Sequence, residues 1–116
     1  MVAAAPATPP NTCFYTRDIL NHQIADDHTL YIRTRSNAIY RLDMVGACLA
    51  AASSDDPLVI REPPGVPYAC RAVDLDISIA HNAGVGGIGM RTPCIVDRMT
   101  RLTEAEAAAL PPKFRP

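Results

Sequence analysis

The sequence has no excess of positive charge. It contains 11 Lys and Arg against 12 Asp and Glu, for a formal net charge of -1, and its only lysine is Lys113. The arginines are spread from Arg17 to Arg115 between acidic residues, so no basic face indicates nucleic-acid binding. No apolar run approaches the ~20 residues that a membrane-spanning helix requires. We therefore predict neither a nucleic-acid partner nor a transmembrane segment.

Motifs for catalysis and for tight metal binding are absent as well. No serine stands in a G-x-S-x-G elbow, and no two cysteines have the C-x(2–4)-C spacing of a zinc knuckle. His22, Asp26, Asp27 and His28 lie close together, but an Asp-Asp pair between two apolar runs is typical of a solvated turn. We therefore predict that the protein is not an enzyme and binds no cofactor.

A glycine-rich stretch, GVGGIG at residues 84–89, fits the G-x-G-x-x-G pattern of dinucleotide-binding loops. That kind of site requires a helix that begins at the third glycine and receives the phosphates at its N-terminus. Here Pro93 would end such a helix within one turn, and no β-α-β pattern surrounds the loop. The stretch is therefore interpreted as a loop and not as a nucleotide site.

We predict that this loop joins two antiparallel strands, residues 72–80 and 93–99. In the first of these strands every second residue from Val73 to Ile79 is apolar, which predicts that these residues form its buried face. Its apolar side chains, Val85, Ile88 and Met90, have no predicted place in the core. Apolar side chains at the tip of a loop are typical of a surface that docks on a partner. These three are the predicted partner-binding residues, and the alternative is that they fold back over the end of the barrel.

Short stretches of alternating apolar and polar residues dominate the rest of the chain. Residues 29–34 and 38–44 alternate and are separated by Ser-Asn, so they predict a β-hairpin, and residues 57–61 predict a further strand. Thr103 followed by Glu106 is a capping box, which predicts a short C-terminal helix that ends at the following Pro-Pro pair. The pattern predicts a mainly β fold, a small antiparallel β-barrel or sandwich with a short C-terminal helix.

The beginning of the chain differs from the rest in composition. Residues 1–12 are uncharged and rich in Ala and Pro, which predicts a flexible, partly polyproline tail. The tail lacks the basic and apolar regions of a signal peptide, but such a tail often follows one, so export is an expectation. Residues 13–116 are predicted to form a single domain with one core.

Four cysteines are spread through the predicted domain: Cys13, Cys48, Cys70 and Cys94. An even number at such spacings predicts two disulfides, for which three pairings are possible. We favour Cys48–Cys70, which stand at the two ends of one intervening segment, and Cys13–Cys94, which would link the first ordered segment to the last strand. The alternative is four buried free thiols. Disulfides imply an oxidising compartment, which for a bacterial chain without an N-x-S/T acceptor is the periplasm or the cell surface.

The stretches DDHTLYIR, AIYRLDMVGAC and PCIVDRMTRLTEAEAAALP, with the four-cysteine frame, resemble a family of small exported proteobacterial proteins, the domain of unknown function DUF6491. The resemblance covers Cys13 to about Pro111, and its most specific pieces are the cysteines and the closing LT-x-x-E-x-x-x-L at residues 102–110. It implies a secreted or lipid-anchored precursor, of which this chain is the mature form, and it implies no catalytic residues. The glycine-rich stretch before Cys94 is longer than the resemblance leads us to expect.

These features predict a non-enzymatic periplasmic or cell-envelope module that binds a protein or another envelope component. The alternative is a carrier of a soft metal or of haem, in which His81, Met90 and one or two reduced cysteines ligate copper or haem iron. The alternative competes with the disulfide prediction, because an oxidised cysteine supplies no thiolate ligand.

Overall fold

The computed structural model describes residues 13–50, 52–54, 56–61, 68–81 and 90–116. Within these ranges the chain is mainly β, which confirms the predicted fold class. The strands and the α-helix found there are, in chain order, β1 (Phe14–Tyr15), β2 (Ile19–Asp26), β3 (Thr29–Thr34), β4 (Ile39–Met44), β5 (Leu58–Arg61), β6 (Tyr68–Ala69), β7 (Asp76–His81), β8 (Met90–Arg101) and α1 (Glu104–Ala108). Short 3-10 helices at Thr16–Asp18, Ala72–Asp74 and Pro112–Phe114 complete the description.

Six strands form one antiparallel sheet in the order β2-β3-β4-β8-β7-β5, and the sheet curls into a half-barrel. Its two edge strands, β2 and β5, do not pair with each other. Side-chain hydrogen bonds nevertheless tie β2 to the segment that precedes β5. The Ile24 N–H donates to Ser54 Oγ over 2.9 Å. His22 Nε2 lies 2.9 Å from the carbonyl oxygen of Asp56. The fold is therefore a partly closed form of the predicted barrel.

The inner face of the half-barrel carries the hydrophobic core. The alternation predicted for residues 38–44 is confirmed in β4, and β7 repeats the pattern. In β3 the predicted inward residues are buried, but Tyr31 on the opposite face is buried too, at 8% exposure. The side chains on these three strands that are exposed by 1% or less are Leu30, Ile32, Tyr40, Leu42, Ile77 and Ile79. Full burial of such a side chain contributes roughly 1.5–3 kcal/mol relative to exposure, so these residues are a major source of stability.

The disulfide prediction is confirmed in number and wrong in pairing. The disulfides are Cys13–Cys70 and Cys48–Cys94, and the described chain has no free cysteine. The first pair follows from the register of a two-stranded ribbon. Because β1 and β6 pair antiparallel, Cys13 directly before β1 lies opposite Cys70 directly after β6. The favoured pairs Cys48–Cys70 and Cys13–Cys94 are excluded by this register.

The second pair follows from the neighbour that β8 has in the sheet. β8 pairs with β4 so that Met44 lies opposite Val96. The turn that follows β4 therefore brings Cys48 against Cys94, with their Cα atoms 5.7 Å apart. The predicted disulfide Cys13–Cys94 tied the last strand to the beginning of the chain. Because β4 pairs with β8, Cys94 instead lies next to Cys48.

The two disulfides make a large contribution to stability. They close loops with sequence separations of 57 and 46 residues. In the chain-entropy model, loops of this length each stabilise the folded state by about 4 kcal/mol. The net stability of a small domain is about 5–15 kcal/mol, so the contribution of the two disulfides is comparable to the whole net stability.

The hairpin predicted around the glycine-rich stretch is confirmed, because β7 pairs antiparallel with β8 along its whole length. The loop itself, residues 82–89, lies outside the described residues, as does the predicted tail at residues 1–12. The first strand of this hairpin was predicted at residues 72–80, which is too early a start. Ala72–Asp74 forms a 3-10 helix, and β7 begins at Asp76. As a result Val73, which the alternation placed on the buried face, is 75% exposed.

The predicted capping box is confirmed at the start of α1. Thr103 Oγ1 accepts from the Glu106 N–H over 3.1 Å, and Glu106 Oε1 accepts from the Thr103 N–H over 2.8 Å. Beyond this helix the chain returns to the sheet, where Arg33 Nε donates to the carbonyl oxygen of Pro116 over 2.9 Å. No helix among the described residues is long and apolar enough to cross a membrane.

Peptide mapping tests the disulfide connectivity. Cleavage after Lys and Arg places the four cysteines in four different fragments, residues 1–17, 42–61, 62–71 and 92–98. Without reduction we expect the first fragment joined to the third and the second joined to the fourth. Reduction should add four hydrogens to the intact mass, two for each of the two disulfides. Joining of the second fragment to the third would contradict the structure.

Candidate functional site

Exposed apolar side chains converge at one place on the surface. Val45, Val73 and Ile95 are 53%, 75% and 71% exposed, and they line one groove of about 360 Å³. Single exposed apolar side chains are common on protein surfaces, whereas several that share one groove are typical of a binding surface. We call this groove, defined by the three side chains, the apolar groove.

Two adjacent chain segments position Val45 and Ile95. Ile95 lies in β8 between two buried residues, Cys94 and Val96, so strand alternation turns its side chain to the outer face. Val45 directly follows β4, and its backbone N–H donates to the Ile95 carbonyl oxygen over 2.8 Å. The chain turns at Gly46, whose φ of +68° is a conformation that glycine adopts without a steric penalty.

Val73 is held at the groove by a turn that one carboxylate stabilises. The Asp74 carboxylate accepts hydrogen bonds from the backbone N–H groups of Cys70 and Arg71, each over 3.0 Å. The bond from Cys70 is the largest cause that holds the pKa of Asp74 below its ordinary value of 3.8. Because the ionised carboxylate makes these bonds, it fixes the 3-10 helix of Ala72–Asp74 and the outward position of Val73.

The Cys48–Cys94 disulfide adjoins the apolar groove. Cys94 is one of the residues that line it, and Cys48 belongs to the turn that begins after Val45. The disulfide therefore fixes the turn that carries Val45 against the strand that carries Ile95. The other disulfide ends at Cys70, two residues before the start of the 3-10 helix that carries the third side chain of the groove. Both covalent links thus restrict movement of the groove walls.

Acidic side chains give the apolar groove its charge. Asp76 and Asp97 line it, and its described lining contains no basic residue. Neither carboxylate forms an ion pair with any residue in the described ranges. Arg61 is the register partner of Asp76 on β5, and it does not line the groove. An apolar surface with two uncompensated carboxylates suits a ligand that combines an apolar group with a cation.

The predicted partner-binding residues fall largely outside this site. Val85 and Ile88 lie outside the described residues, and Met90 begins β8. Met90 is the register partner of His81, so the hairpin brings together the two positions named in the metal-binding alternative. The thiolates that this alternative also required are lost, because all four cysteines form disulfides. Within the described part of the chain, no group of three or more His, Cys, Asp or Glu is arranged to hold a metal ion.

The histidine and aspartate cluster is a turn, as predicted. The chain reverses between β2 and β3 at Asp27–His28. The His28 N–H donates to Asp26 Oδ1 over 2.9 Å, and this bond is the main cause that lowers the pKa of Asp26. His22 lies earlier in β2, away from the turn, and its side chain contacts the carbonyl oxygen of Asp56, before β5. The cluster therefore closes a hairpin and does not form a single site.

Comparisons with protein-family models, with curated proteins and with solved structures find no match to this chain. The resemblance to the DUF6491 family stays a prediction. The function is therefore argued from the geometry of the apolar groove.

Sequence reasoning missed the residues of the apolar groove, although one of them had a signal. Ile95 is an apolar residue between Cys94 and Val96, and if those two point inward, alternation requires Ile95 to point outward. Val73 was assigned to the wrong face because the turn made by Asp74 was not anticipated. For Val45 the sequence offers no signal, since its exposure depends on how the turn after β4 packs.

Removal of the Asp74 carboxylate tests the turn that carries Val73. We expect Asp74→Ala to lower the free energy of unfolding by about 1 kcal/mol at neutral pH, the usual loss when a side chain that caps backbone N–H groups is removed. Asp76→Ala is the matched control, since Asp76 accepts no such bond in the described chain, and it should change stability by less than about 0.5 kcal/mol. Denaturant unfolding of the oxidised proteins measures both.

The effect of Asp74→Ala should depend on pH in a defined direction. Folding lowers the pKa of Asp74 below 3.8, so its contribution is complete above that value and is lost as the pH falls through the lower folded-state pKa. The stabilities of wild type and variant should therefore converge in acid. A difference that stays constant down to about pH 2 would show that the ionised carboxylate is not responsible.

Proposed function

We propose that this chain is a non-enzymatic, exported binding module that docks on a protein of the cell envelope through the apolar groove. The observation that supports the proposal is the convergence of Val45, Val73 and Ile95 on one groove beside a disulfide. Burial of apolar surface by a partner contributes about 25 cal/mol for each Å² removed from water. The disulfides fix the groove before binding, so little conformational entropy is lost when it is filled.

The charge of the groove indicates the chemistry of the partner. A segment that inserts an apolar side chain between Val73 and Ile95 would bring its neighbouring residues close to Asp76 and Asp97. Lys or Arg at those neighbouring positions would complement the two carboxylates, whereas Asp or Glu would be repelled. We therefore propose a polypeptide segment with an apolar anchor and flanking basic residues as the occupant.

The proposed location rests on the cysteines. Two disulfides that close long loops persist in oxidising compartments and are rare in the reducing cytosol. The resemblance to an exported family points to the same place, the periplasm or the cell surface. An envelope protein is therefore the partner class that the chain would meet.

Selection from a library of displayed random peptides tests the docking proposal. Oxidised protein should enrich peptides with an aliphatic or aromatic residue flanked by Lys or Arg. Ile95→Ser should weaken the binding of an enriched peptide by about tenfold, the effect of losing ~1.4 kcal/mol of apolar contact. Leu20→Ser is the matched control, because Leu20 is 48% exposed and does not line the groove.

Charge reversal tests the second half of the proposal. In the double variant Asp76→Lys and Asp97→Lys the preference should shift from basic to acidic flanking residues, with the apolar anchor retained. Isothermal titration with one enriched peptide and its charge-reversed counterpart gives both affinities. Enrichment of peptides whose binding does not depend on Ile95, or an unchanged charge preference in the double variant, would refute docking at this groove.

Cell fractionation tests the proposed location independently of the partner. An antibody against the protein should find it in the osmotic-shock or membrane fraction of its own cells. Alkylation before lysis should leave all four cysteines unmodified, because they are oxidised. A cytosolic protein with four alkylated cysteines would overturn the exported role and leave the peptide-binding result to be judged separately.

A further inference from the structure

A second exposed cluster lies on the β1–β6 ribbon, and it shares no residue with the apolar groove. Tyr15 and Tyr68 are register partners and are 44% and 43% exposed. Their ring centroids are 6.0 Å apart and their planes meet at 84°, so the rings lie nearly perpendicular to each other, edge to face. We call Tyr15, Tyr68 and the neighbouring Arg17 the tyrosine corner.

The ribbon beneath the tyrosine corner is held rigidly for its size. Phe14 and Ala69, which alternate with the two tyrosines, are 6% and 0% exposed and belong to the core. The Phe14 ring packs against the Tyr40 ring with centroids 4.7 Å apart. The Cys13–Cys70 disulfide closes the end of the ribbon, with Cα atoms 4.0 Å apart. The tyrosine backbones are therefore fixed before any ligand arrives.

Arg17 adds a positive charge to the tyrosine corner. Its guanidinium lies 5.1 Å from the centroid of the Tyr15 ring, a cation–π contact. No carboxylate in the described ranges pairs with it, since its neighbour Asp18 pairs with Arg35 over 3.4 Å. A guanidinium in a cation–π contact still has N–H groups that can bind a carboxylate through two parallel hydrogen bonds.

We propose that the tyrosine corner binds a saccharide that carries a carboxylate group. A sugar ring presents C–H groups on faces at different angles, so two aromatic rings at 84° can both pack against it. A planar nucleobase stacks face to face on an aromatic ring and would therefore use only one of the two. The Arg17 guanidinium then supplies the partner for the carboxylate, which separates acidic from neutral sugars.

The size of the surface favours a small ligand over a protein. Two tyrosines that are less than half exposed offer together roughly 200 Å² of ring surface, given the 150–250 Å² that a whole aromatic side chain can bury. A stable protein interface needs about 800 Å² from each partner. The corner is too small to anchor such an interface by itself, and it matches the contact area of one or two sugar units.

Titration calorimetry with tetrasaccharides tests the proposal on the oxidised chain of residues 1–116. The probes are tetramers of mannuronic acid and of galacturonic acid, with tetramers of mannose and galactose as their neutral counterparts. We expect at least one acidic tetramer to bind with a Kd in the millimolar range or below, and its neutral counterpart to bind about tenfold more weakly, as expected for loss of a charge-assisted hydrogen bond.

Three variants separate the two parts of the site. Tyr68→Ala should weaken acidic and neutral tetramers alike, while Tyr68→Phe should retain binding because the ring remains. Arg17→Gln should remove the preference for the acidic tetramer and leave neutral binding unchanged. Disulfide mapping of each variant confirms that Cys13–Cys70 has formed, so that a folding defect is not mistaken for loss of the site.

The proposal is overturned if neither acidic tetramer binds up to about 10 mM, or if binding is insensitive to both Tyr68→Ala and Arg17→Gln. It is also overturned if a displayed peptide, and no saccharide, requires Tyr68 for binding, since the corner would then recognise protein. Ile95→Ser in the apolar groove should leave saccharide binding unchanged, which keeps this result separate from that of the proposed function.

Discussion

Two disulfides hold the parts of this protein that the sheet does not hold by itself. Cys13–Cys70 closes a ribbon of only two residues on each strand, and Cys48–Cys94 fastens the turn after β4 to β8. Short ribbons and exposed turns are marginally stable in water. Each cross-link lies next to one of the two exposed clusters, so the same bonds stabilise the fold and position the surfaces that we propose for binding.

Described segments lie against some parts of the half-barrel and leave other parts exposed. A closed barrel has no free strand edges, whereas this sheet ends at β2 and β5. Ser54 and Asp56 bridge those edges with hydrogen bonds instead of strand pairing. The C-terminal segment reaches the sheet at Arg33, on β3, through Pro116. No comparable described segment lies over the region of Val45 and Ile95, which stay exposed.

The sequence was informative where strand alternation or a capping motif decided the local structure. Alternation placed the inward residues of β3 and β4 correctly because a strand has a period of two and one face is buried. The capping box at Thr103 marked the start of α1 because its hydrogen bonds lie within four residues. The prediction for Val73 was wrong, also for a local reason. The Asp74 carboxylate accepts hydrogen bonds from the backbone N–H groups of Cys70 and Arg71, and these bonds compete with strand formation.

The disulfide pairing and the candidate sites required the order of strands in the sheet, which local rules do not supply. β8 follows β7 in the chain, but its other neighbour is β4, and that long-range choice decides the partner of Cys94. It also places Val45 beside Ile95. Nothing in the local sequence around Tyr15 or Tyr68 indicates that the two side chains lie together. They are neighbours only because β1 pairs with β6. Binding surfaces that are assembled by strand order and then fixed by cysteines would both lose a covalent constraint on reduction, so the proposed functions and the proposed oxidising compartment depend on the same two bonds.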